Sequence, residues 1–274
     1  MNISDLVKPL VFVFGLMVGS FSNVCIWRLP EEEQVVRGRS HCRSCNRVIP
    51  WYDNLPLVSF ILLRGRCRYC RAKISWIYPA VELVTGLLFL LVLARFGLTV
   101  VALIQGVFAA SLIVVTVVDA RTMTIPNEIT LPGLWIGIGL SFLVPALHGV
   151  STRWGSLWAS FLGALTGWGL IFGMAVIGRW IFRKKLQSIG EEEAVGGGDL
   201  KLMAMVGALI GAPKVLLVIL LLAPIAGSLI GLVIKFRFGR DLIPYGPFLS
   251  LGTLMVLFWG DGMINWYRSF LLGS

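Results

Sequence analysis

A series of eight long apolar blocks constrains the fold of this chain more than any other feature of its sequence. A helix rises 1.5 Å per residue, so roughly 20 residues cross the ~30 Å hydrocarbon core of a bilayer. Water-soluble domains carry about 25% charged residues, whereas this chain carries 14% and is 57% hydrophobic. We therefore predict an all-α polytopic membrane protein with about eight transmembrane helices. The blocks are residues 9–27, 74–94, 98–118, 129–147, 156–178, 200–212, 215–234 and 245–260.

The distribution of lysine and arginine predicts the orientation. If all eight blocks span, nineteen of the 24 basic residues fall in loops on one side of the membrane and five on the other. Basic loops stay in the cytoplasm, so both termini are expected to face outward. The sixth block has only 13 residues, a length that also suits a re-entrant segment. We treat it as spanning, because a re-entrant segment would move Lys235, Arg237 and Arg240 outside and weaken the charge bias.

The same rule accounts for the net charge of +10. A membrane with an anionic inner surface favours basic cytoplasmic loops, so we predict a lipid bilayer as the partner and no nucleic acid. We do not expect the first block to be a cleavable signal peptide, because it is too long and no small-x-small site follows it.

Two hydrophilic segments interrupt the apolar blocks. The first has 46 residues and is predicted to be a small domain, which gives a transmembrane helix in residues 1–27, a cytoplasmic domain in 28–73 and a membrane domain in 74–274. The second, residues 179–198, contains the acidic run 191–193 and three consecutive glycines. Consecutive glycines leave the backbone unrestricted, so we predict that this second loop is mobile.

Four of the five cysteines form two Cys-x2-Cys pairs in the first loop, Cys42 with Cys45 and Cys67 with Cys70. Two tight turns that each present two sulfurs suit a tetrahedral thiolate site, and the cytoplasm disfavours disulfides. A domain this small needs more than hydrophobic burial, so we predict a structural metal with four sulfur ligands and no open catalytic position. Zinc is the prediction, and iron in a rubredoxin-like site is the alternative.

Two aspartates fall at the predicted cytoplasmic ends of apolar blocks. Asp119 ends the third block and Asp199 precedes the sixth. One interpretation makes each a helix cap, since Asp199 follows glycines and precedes an apolar run, as an N-cap does. The other pairs them: two adjacent carboxylates share one proton, so that one activates water while its partner hydrogen-bonds a scissile carbonyl. Their common face and their turn-forming neighbours favour the pair.

Several short motifs carry a resemblance to a known family. Gly196, Gly198 and Asp199 match the GxGD signature of intramembrane aspartyl proteases. Further segments are Gly19-Ser20-Phe21-Ser22-Asn23-Val24, Arg28-Leu29-Pro30, the four cysteines, Asp53-Asn54-Leu55-Pro56-Leu57, Arg64-Gly65-Arg66-Cys67 and Pro247-Phe248-Leu249-Ser250-Leu251-Gly252. Together they resemble the bacterial type IV prepilin peptidase and N-methyltransferase family over nearly the whole chain.

The resemblance implies an activity. Members of that family cut the basic leader of type IV prepilins or type II secretion pseudopilins after a glycine, at the cytoplasmic face of the inner membrane. They then methylate the new N-terminus, usually phenylalanine, with S-adenosylmethionine as the donor. Asp119 and Asp199 match the catalytic pair, and the four cysteines match the zinc-binding cytoplasmic domain.

The methyl-transfer site is harder to place, because no glycine-rich dinucleotide-type loop occurs in the sequence. Glu82, a lone carboxylate near the start of the second block, is the candidate for methyltransferase or substrate contacts, with helix packing as the alternative.

Two other functions stay open. A transporter could use Asp119, Asp199 and Glu82 as a proton relay, although such proteins show inverted repeats, and the sequence shows none. A zinc-stabilised platform could dock pilus or secretion components without turnover. Incubation with a synthetic prepilin separates the three, because only the peptidase shortens it.

Overall fold

The computed structural model describes residues 3–189, 196–238 and 243–272, and helices cover all eight apolar blocks. In hydrocarbon every backbone N–H and C=O needs a partner inside its own segment, and an α-helix supplies one. Pairing of extended backbone in the described residues is limited to isolated bridges, which join His41 to Val48 and Arg66 to Lys73. The helices are α1 (Ile3–Arg28), α2 (Val58–Leu62), α3 (Ile77–Phe96), α4 (Val100–Thr122), α5 (Asn127–Leu143), α6 (Arg153–Ile189), α7 (Gly197–Ile210), α8 (Ala212–Leu217), α9 (Ala223–Phe238) and α10 (Gly246–Leu272).

Six of the described helical segments are long and apolar enough to cross a membrane. A π-helical stretch, Val218–Leu222, joins α8 to α9 so that the two form one apolar segment. The fourth and sixth predicted blocks are shorter: α5 has 17 residues and α7 has 14, which makes α7 about 21 Å long. The all-α polytopic fold, with a cysteine-rich insertion between its first two membrane helices, is therefore confirmed.

The prediction of a loop over residues 179–198 is wrong in its first half, because α6 continues to Ile189. Residues 180–188 contain neither glycine nor proline and are rich in residues that favour helix. Gly196 is the N-cap of α7 and Gly197 is its first residue. The acidic run 191–193 lies outside the described residues.

The chain forms two compact units, Met1–Val118 and Asp119–Ser274. In the first unit α1 packs against α3 through small residues. A Cβ at Gly19 would lie 2.7 Å from the Glu82 Cα, and a Cβ at Gly15 would lie 2.9 Å from the Gly86 Cα. Helices that associate in membranes approach closely where such small residues face each other.

Polar contacts order the cysteine-rich insertion of the first unit. The Arg28 guanidinium donates hydrogen bonds of 3.0 to 3.2 Å to the backbone carbonyls of Gln34, Arg37 and Arg39. Arg68 forms a bidentate pair with Asp53, with N to O distances of 2.5 and 2.7 Å. Arg28 therefore orders the start of the insertion, and the ion pair of Arg68 with Asp53 links its two halves.

In the second unit α7 is enclosed by α5 and α6. The backbones of α6 and α7 meet at Gly163 and Gly207, and a Cβ at either position would overlap the carbonyl group of the other. The Ser160 hydroxyl donates to the carbonyl of Ala208 at 2.8 Å and holds the same pair of helices together. Leu202 to Ile210 are all buried, so α7 is a core helix of this unit.

Candidate functional site

Asp119 lies in the last turn of α4 and is 5% exposed. Its Oδ2 accepts a hydrogen bond of 2.9 Å from the backbone N–H of Gly246, the first residue of α10. A Cβ at position 246 would lie 2.7 Å from that oxygen, so a side chain there would displace the carboxylate. Gly246 was not among the residues predicted from the sequence, although it directly precedes the segment that begins at Pro247.

Asp199 is the third residue of α7 and is 8% exposed. Its interpretation as an N-cap is wrong, because Gly196 is the N-cap and the Asp199 N–H donates to the Gly196 carbonyl at 3.1 Å. The preceding glycine is needed for space, since a Cβ at Gly198 would lie 2.9 Å from the Ile125 Cβ.

The segment between α4 and α5 connects the surroundings of the two aspartates. Met123 adopts a left-handed backbone with φ 55°, and its N–H donates to the Asp119 carbonyl at 2.8 Å, which closes the last turn of α4. Ile125, two residues later, lies against Gly198 and also near Gly246, where a Cβ would lie 3.3 Å from the Ile125 Cδ1. The structure thus brings Asp119 and Asp199, 80 positions apart in the sequence, into one buried cluster.

The electrostatics of this cluster fit a shared proton. Asp199 lies outside the six candidate membrane spans. Burial raises its pKa to about 7, and the negative charge of Asp119 adds to the increase. Burial and then the charge of Asp199 also raise the pKa of Tyr245, which precedes α10. A carboxylate that accepts a backbone N–H bond beside a carboxyl group that keeps its proton can supply a base and an acid together.

Lys201, two residues after Asp199, has a separate partner. Its Nζ donates to the Asn127 Oδ1 at 2.7 Å, which ties α7 to the first residue of α5.

The four cysteines form a second cluster, in the first unit. Each pair begins on the same turn: the Cys42 N–H donates to the Arg47 carbonyl and the Cys67 N–H to the Ala72 carbonyl, both at 2.9 Å. Asn46 and Arg71 both have φ 58°, and each donates its N–H back to the first cysteine of its pair. The four Sγ atoms lie within 4.8 Å of one another.

This arrangement fits a tetrahedral metal. Zinc with sulfur ligands at about 2.3 Å separates the sulfurs by about 3.8 Å, and the Sγ atoms of Cys42 and Cys70 are 3.8 Å apart. Burial alone would raise the pKa of Cys42, but hydrogen bonds from the backbone of Cys45 and Ser44 and from neighbouring thiols lower it to about 7. A thiol with a lowered pKa supplies the thiolate that binds metal.

Glu82 faces a cavity of about 550 Å³ in the first unit. The carboxylate is 9% exposed, and its Oε2 accepts a hydrogen bond of 2.9 Å from the backbone N–H of Leu57. It also bonds the Ser20 side chain. α1, the start of α3 and the cysteine-rich insertion all contribute to the cavity wall. The volume is within the roughly 300 to 1,000 Å³ of pockets that hold small ligands.

Two profiles of known protein families match most of the chain. The family profile described as Bacterial Peptidase A24 N-terminal domain matches residues 13–96, and that described as Type IV leader peptidase family matches residues 106–232. No solved structure matches the chain significantly.

Curated relatives named "Prepilin leader peptidase/N-methyltransferase" are similar over long alignments. A protein of Myxococcus xanthus is 38% identical over 84% of this chain and 64% of its own length, so the chain spans somewhat under two thirds of that relative. A protein of Aeromonas salmonicida is 32% identical over 96% of this chain and 94% of its own. A protein of Bacillus subtilis is 32% identical over 96% and 99%.

Proposed function

Because the chain belongs to the type IV leader peptidase family, we propose that it is a prepilin peptidase with N-methyltransferase activity. Its substrates are type IV prepilins, type II secretion pseudopilins or both. It cuts their leader peptides at the cytoplasmic membrane face and methylates the new N-terminus. The observation that carries the proposal is the buried cluster of Asp119 and Asp199.

Asp119 and Asp199 divide the chemistry of cleavage. Asp119, which accepts the Gly246 N–H, is the carboxylate that takes a proton from water. The water oxygen bonds to the scissile carbonyl carbon while Asp199 gives its proton to the carbonyl oxygen. When the resulting diol collapses, one hydroxyl proton passes to Asp199 as the carbonyl re-forms, the C–N bond breaks, and the nitrogen leaves with the proton held by Asp119, so the pair again holds a single proton.

The four cysteines hold a structural zinc ion in this proposal. Four sulfurs saturate the metal, so Cys42, Cys45, Cys67 and Cys70 stabilise the insertion and leave no position for substrate. The same assignment keeps residues 28–73 as a cytoplasmic zinc domain between a transmembrane helix in 1–27 and the peptidase domain in 74–274. Nineteen of 24 basic residues then lie on the cytoplasmic side of the bacterial inner membrane, as the charge rule requires.

Methyl transfer is assigned to the cavity beside Glu82. S-adenosylmethionine, when bound, supplies a methyl group on a sulfonium ion. The Glu82 carboxylate is placed to hold the amine that receives it and to accept the proton that this amine must lose. The bonds from Leu57 and Ser20 fix the carboxylate on the cavity wall.

A synthetic prepilin tests the whole proposal. The purified protein in detergent is expected to release a shortened product and, with S-adenosylmethionine present, to methylate it. Asp119→Asn and Asp199→Asn should each reduce the rate of cleavage by at least about 100-fold, the scale of general acid–base catalysis. Glu128→Gln, an exposed carboxyl in the same unit, is the matched control. Glu82→Gln should cleave normally and fail to methylate.

Two results would contradict the proposal. Substantial cleavage by a purified aspartate variant removes the pair from the mechanism, and wild-type protein that never shortens the peptide leaves the transporter or docking platform in its place. Methylation at the wild-type rate by Glu82→Gln would exclude Glu82 from methyl transfer.

A further inference from the structure

Asn23, in α1, has a buried acceptor with no hydrogen-bond partner among the described residues. The side chain is 3% exposed, and its Nδ2 donates to the Tyr78 carbonyl at 3.0 Å. The Oδ1 is buried and unsatisfied. Because a carbonyl oxygen only accepts, the amide cannot be turned over without losing the bond to Tyr78. A buried acceptor left unpaired reduces stability, so its retention needs a reason.

Asn23 belongs to the same wall as Glu82. Ser20 and Asn23 are one helical turn apart on α1, and Tyr78 and Glu82 are one turn apart on α3. Ser20 bonds Glu82 and Asn23 bonds Tyr78, so the two contacts are successive rungs between the helices. Side chains one turn apart are about 5 to 6 Å from each other. Asn23 and Glu82 both line the cavity, on these neighbouring turns of α1 and α3.

The surrounding wall is well packed. Trp27, one turn beyond Asn23, stacks on Tyr78 with ring centroids 5.6 Å apart and 12° between the planes. The Arg43 guanidinium lies 4.1 Å from the centroid of the Trp27 ring. Trp27 and Tyr78 are held by neighbours at the point where Asn23 meets the Tyr78 carbonyl. Because these side chains are already ordered, a ligand that binds here does not lose affinity to the entropy of ordering them.

We propose that Asn23 supplies the hydrogen-bond acceptor which, together with Glu82, binds the primary amino group of a ligand in this cavity. A protonated amine has three donors and no acceptor, and an amide oxygen beside a carboxylate matches it. The inference rests on the proposed methyl transfer, since both reactants carry such a group. One source is the new N-terminus of the cleaved substrate and the other is the methionyl part of the donor.

Paired ligands test the inference directly. Binding to the purified full-length protein is measured for S-adenosylmethionine against its deaminated analogue. It is also measured for a mature pilin peptide that begins with phenylalanine against the same peptide begun by 3-phenylpropionyl. The wild type should prefer the amine-bearing member of at least one pair by about tenfold to 100-fold, the scale of a hydrogen bond to a charged group. Equal binding within both pairs overturns the proposal.

Variants then assign the preference to Asn23. Asn23→Leu should reduce the amine preference to about threefold or less, while the affinity for the amine-free member of each pair stays within about threefold of the wild type. Ser22→Ala is the matched control, because Ser22 is equally buried on α1 and bonds the Val18 carbonyl. The pair whose preference disappears identifies the source of the amine. An undiminished preference in Asn23→Leu overturns the assignment, and a loss of affinity for both members of each pair would overturn it as well, because it would show a packing role.

Cleavage of the full-length prepilin separates this inference from the proposed function. Asn23→Leu should cut the substrate within about threefold of the wild-type rate, because the aspartates belong to the other unit. A wild type that binds amines selectively but never transfers a methyl group would contradict the methyl-transfer proposal and leave the binding site in place.

Discussion

Asp119 and Asp199 have different surroundings, and the difference predicts how they titrate. Asp119 accepts a backbone N–H, whereas Asp199 is buried beside the charge of Asp119 and has a pKa of about 7. If the two share a proton as proposed, the pair holds one proton just below neutral pH and loses it as the pH rises through about 7. In the proposed mechanism that proton passes to the carbonyl oxygen, so the pair with one proton is the form expected to be active.

The pH dependence of cleavage follows from this proton. We expect kcat/KM for a synthetic prepilin to fall on the alkaline side with an apparent pKa of about 7. Circular dichroism over the same range controls for unfolding. A rate that stays level from about pH 6 to about pH 9 would contradict the assignment of the proton to this pair.

Gly246 is expected to be essential for its lack of a side chain. In Gly246→Ala the new Cβ meets the Asp119 Oδ2 and disturbs the N–H bond to the carboxylate. Hydrogen bonds to charged groups contribute about 1.5 to 3 kcal/mol, so cleavage should fall by roughly tenfold to 100-fold. Gly262→Ala in the same helix is the control, because its Cβ would meet nothing within 4 Å. Equal losses in the two variants would indicate a general effect on α10.

At the scale of elements, the two Cys-x2-Cys turns are small structures that repeat each other. Both use a residue with φ 58° four positions after the first cysteine, and both return a backbone N–H to that cysteine. Neither Asn46 nor Arg71 is a glycine, so each turn carries some backbone strain. Metal binding to four converging thiolates offsets such costs, as in other small metal domains.

Removal of the metal should therefore loosen the insertion. We expect one zinc ion per chain by elemental analysis, and loss of it in Cys42→Ser or Cys67→Ser with faster tryptic cleavage between Arg37 and Lys73. Cys25→Ser, which changes the cysteine outside the cluster, should bind zinc normally. A ferric-thiolate absorption band in the wild type would replace zinc by iron.

The sequence predicted most elements, and its errors have a common origin. Hydropathy marks where apolar residues stop, which for α6 is near Gly178, whereas the helix itself ends at Ile189 because no residue between breaks it. The hydrogen bond between Gly246 and Asp119 could not be predicted from the sequence, for another reason. It joins residues 127 positions apart through a backbone N–H, which has no signature in the side-chain pattern.

At the scale of the whole molecule, the basic residues predict which loops face the cytoplasm. A cysteine in place of Thr152, beside Arg153, should react with a membrane-impermeant thiol reagent in intact cells. A cysteine in place of the exposed Glu128, in the first turn of α5, should react only after the cells are permeabilised. The reverse pattern would invert the topology and move the aspartates to the outer face.

The glycine contact between α6 and α7 has a mechanical consequence for the enzyme. Where two backbones touch without intervening side chains the helices pack at their closest separation, so Asp199 extends from a helix held directly against α6. If Asp199 is catalytic as proposed, leaders of different sequence must all bring the bond to be cut to a carboxyl group presented by this one helix pair.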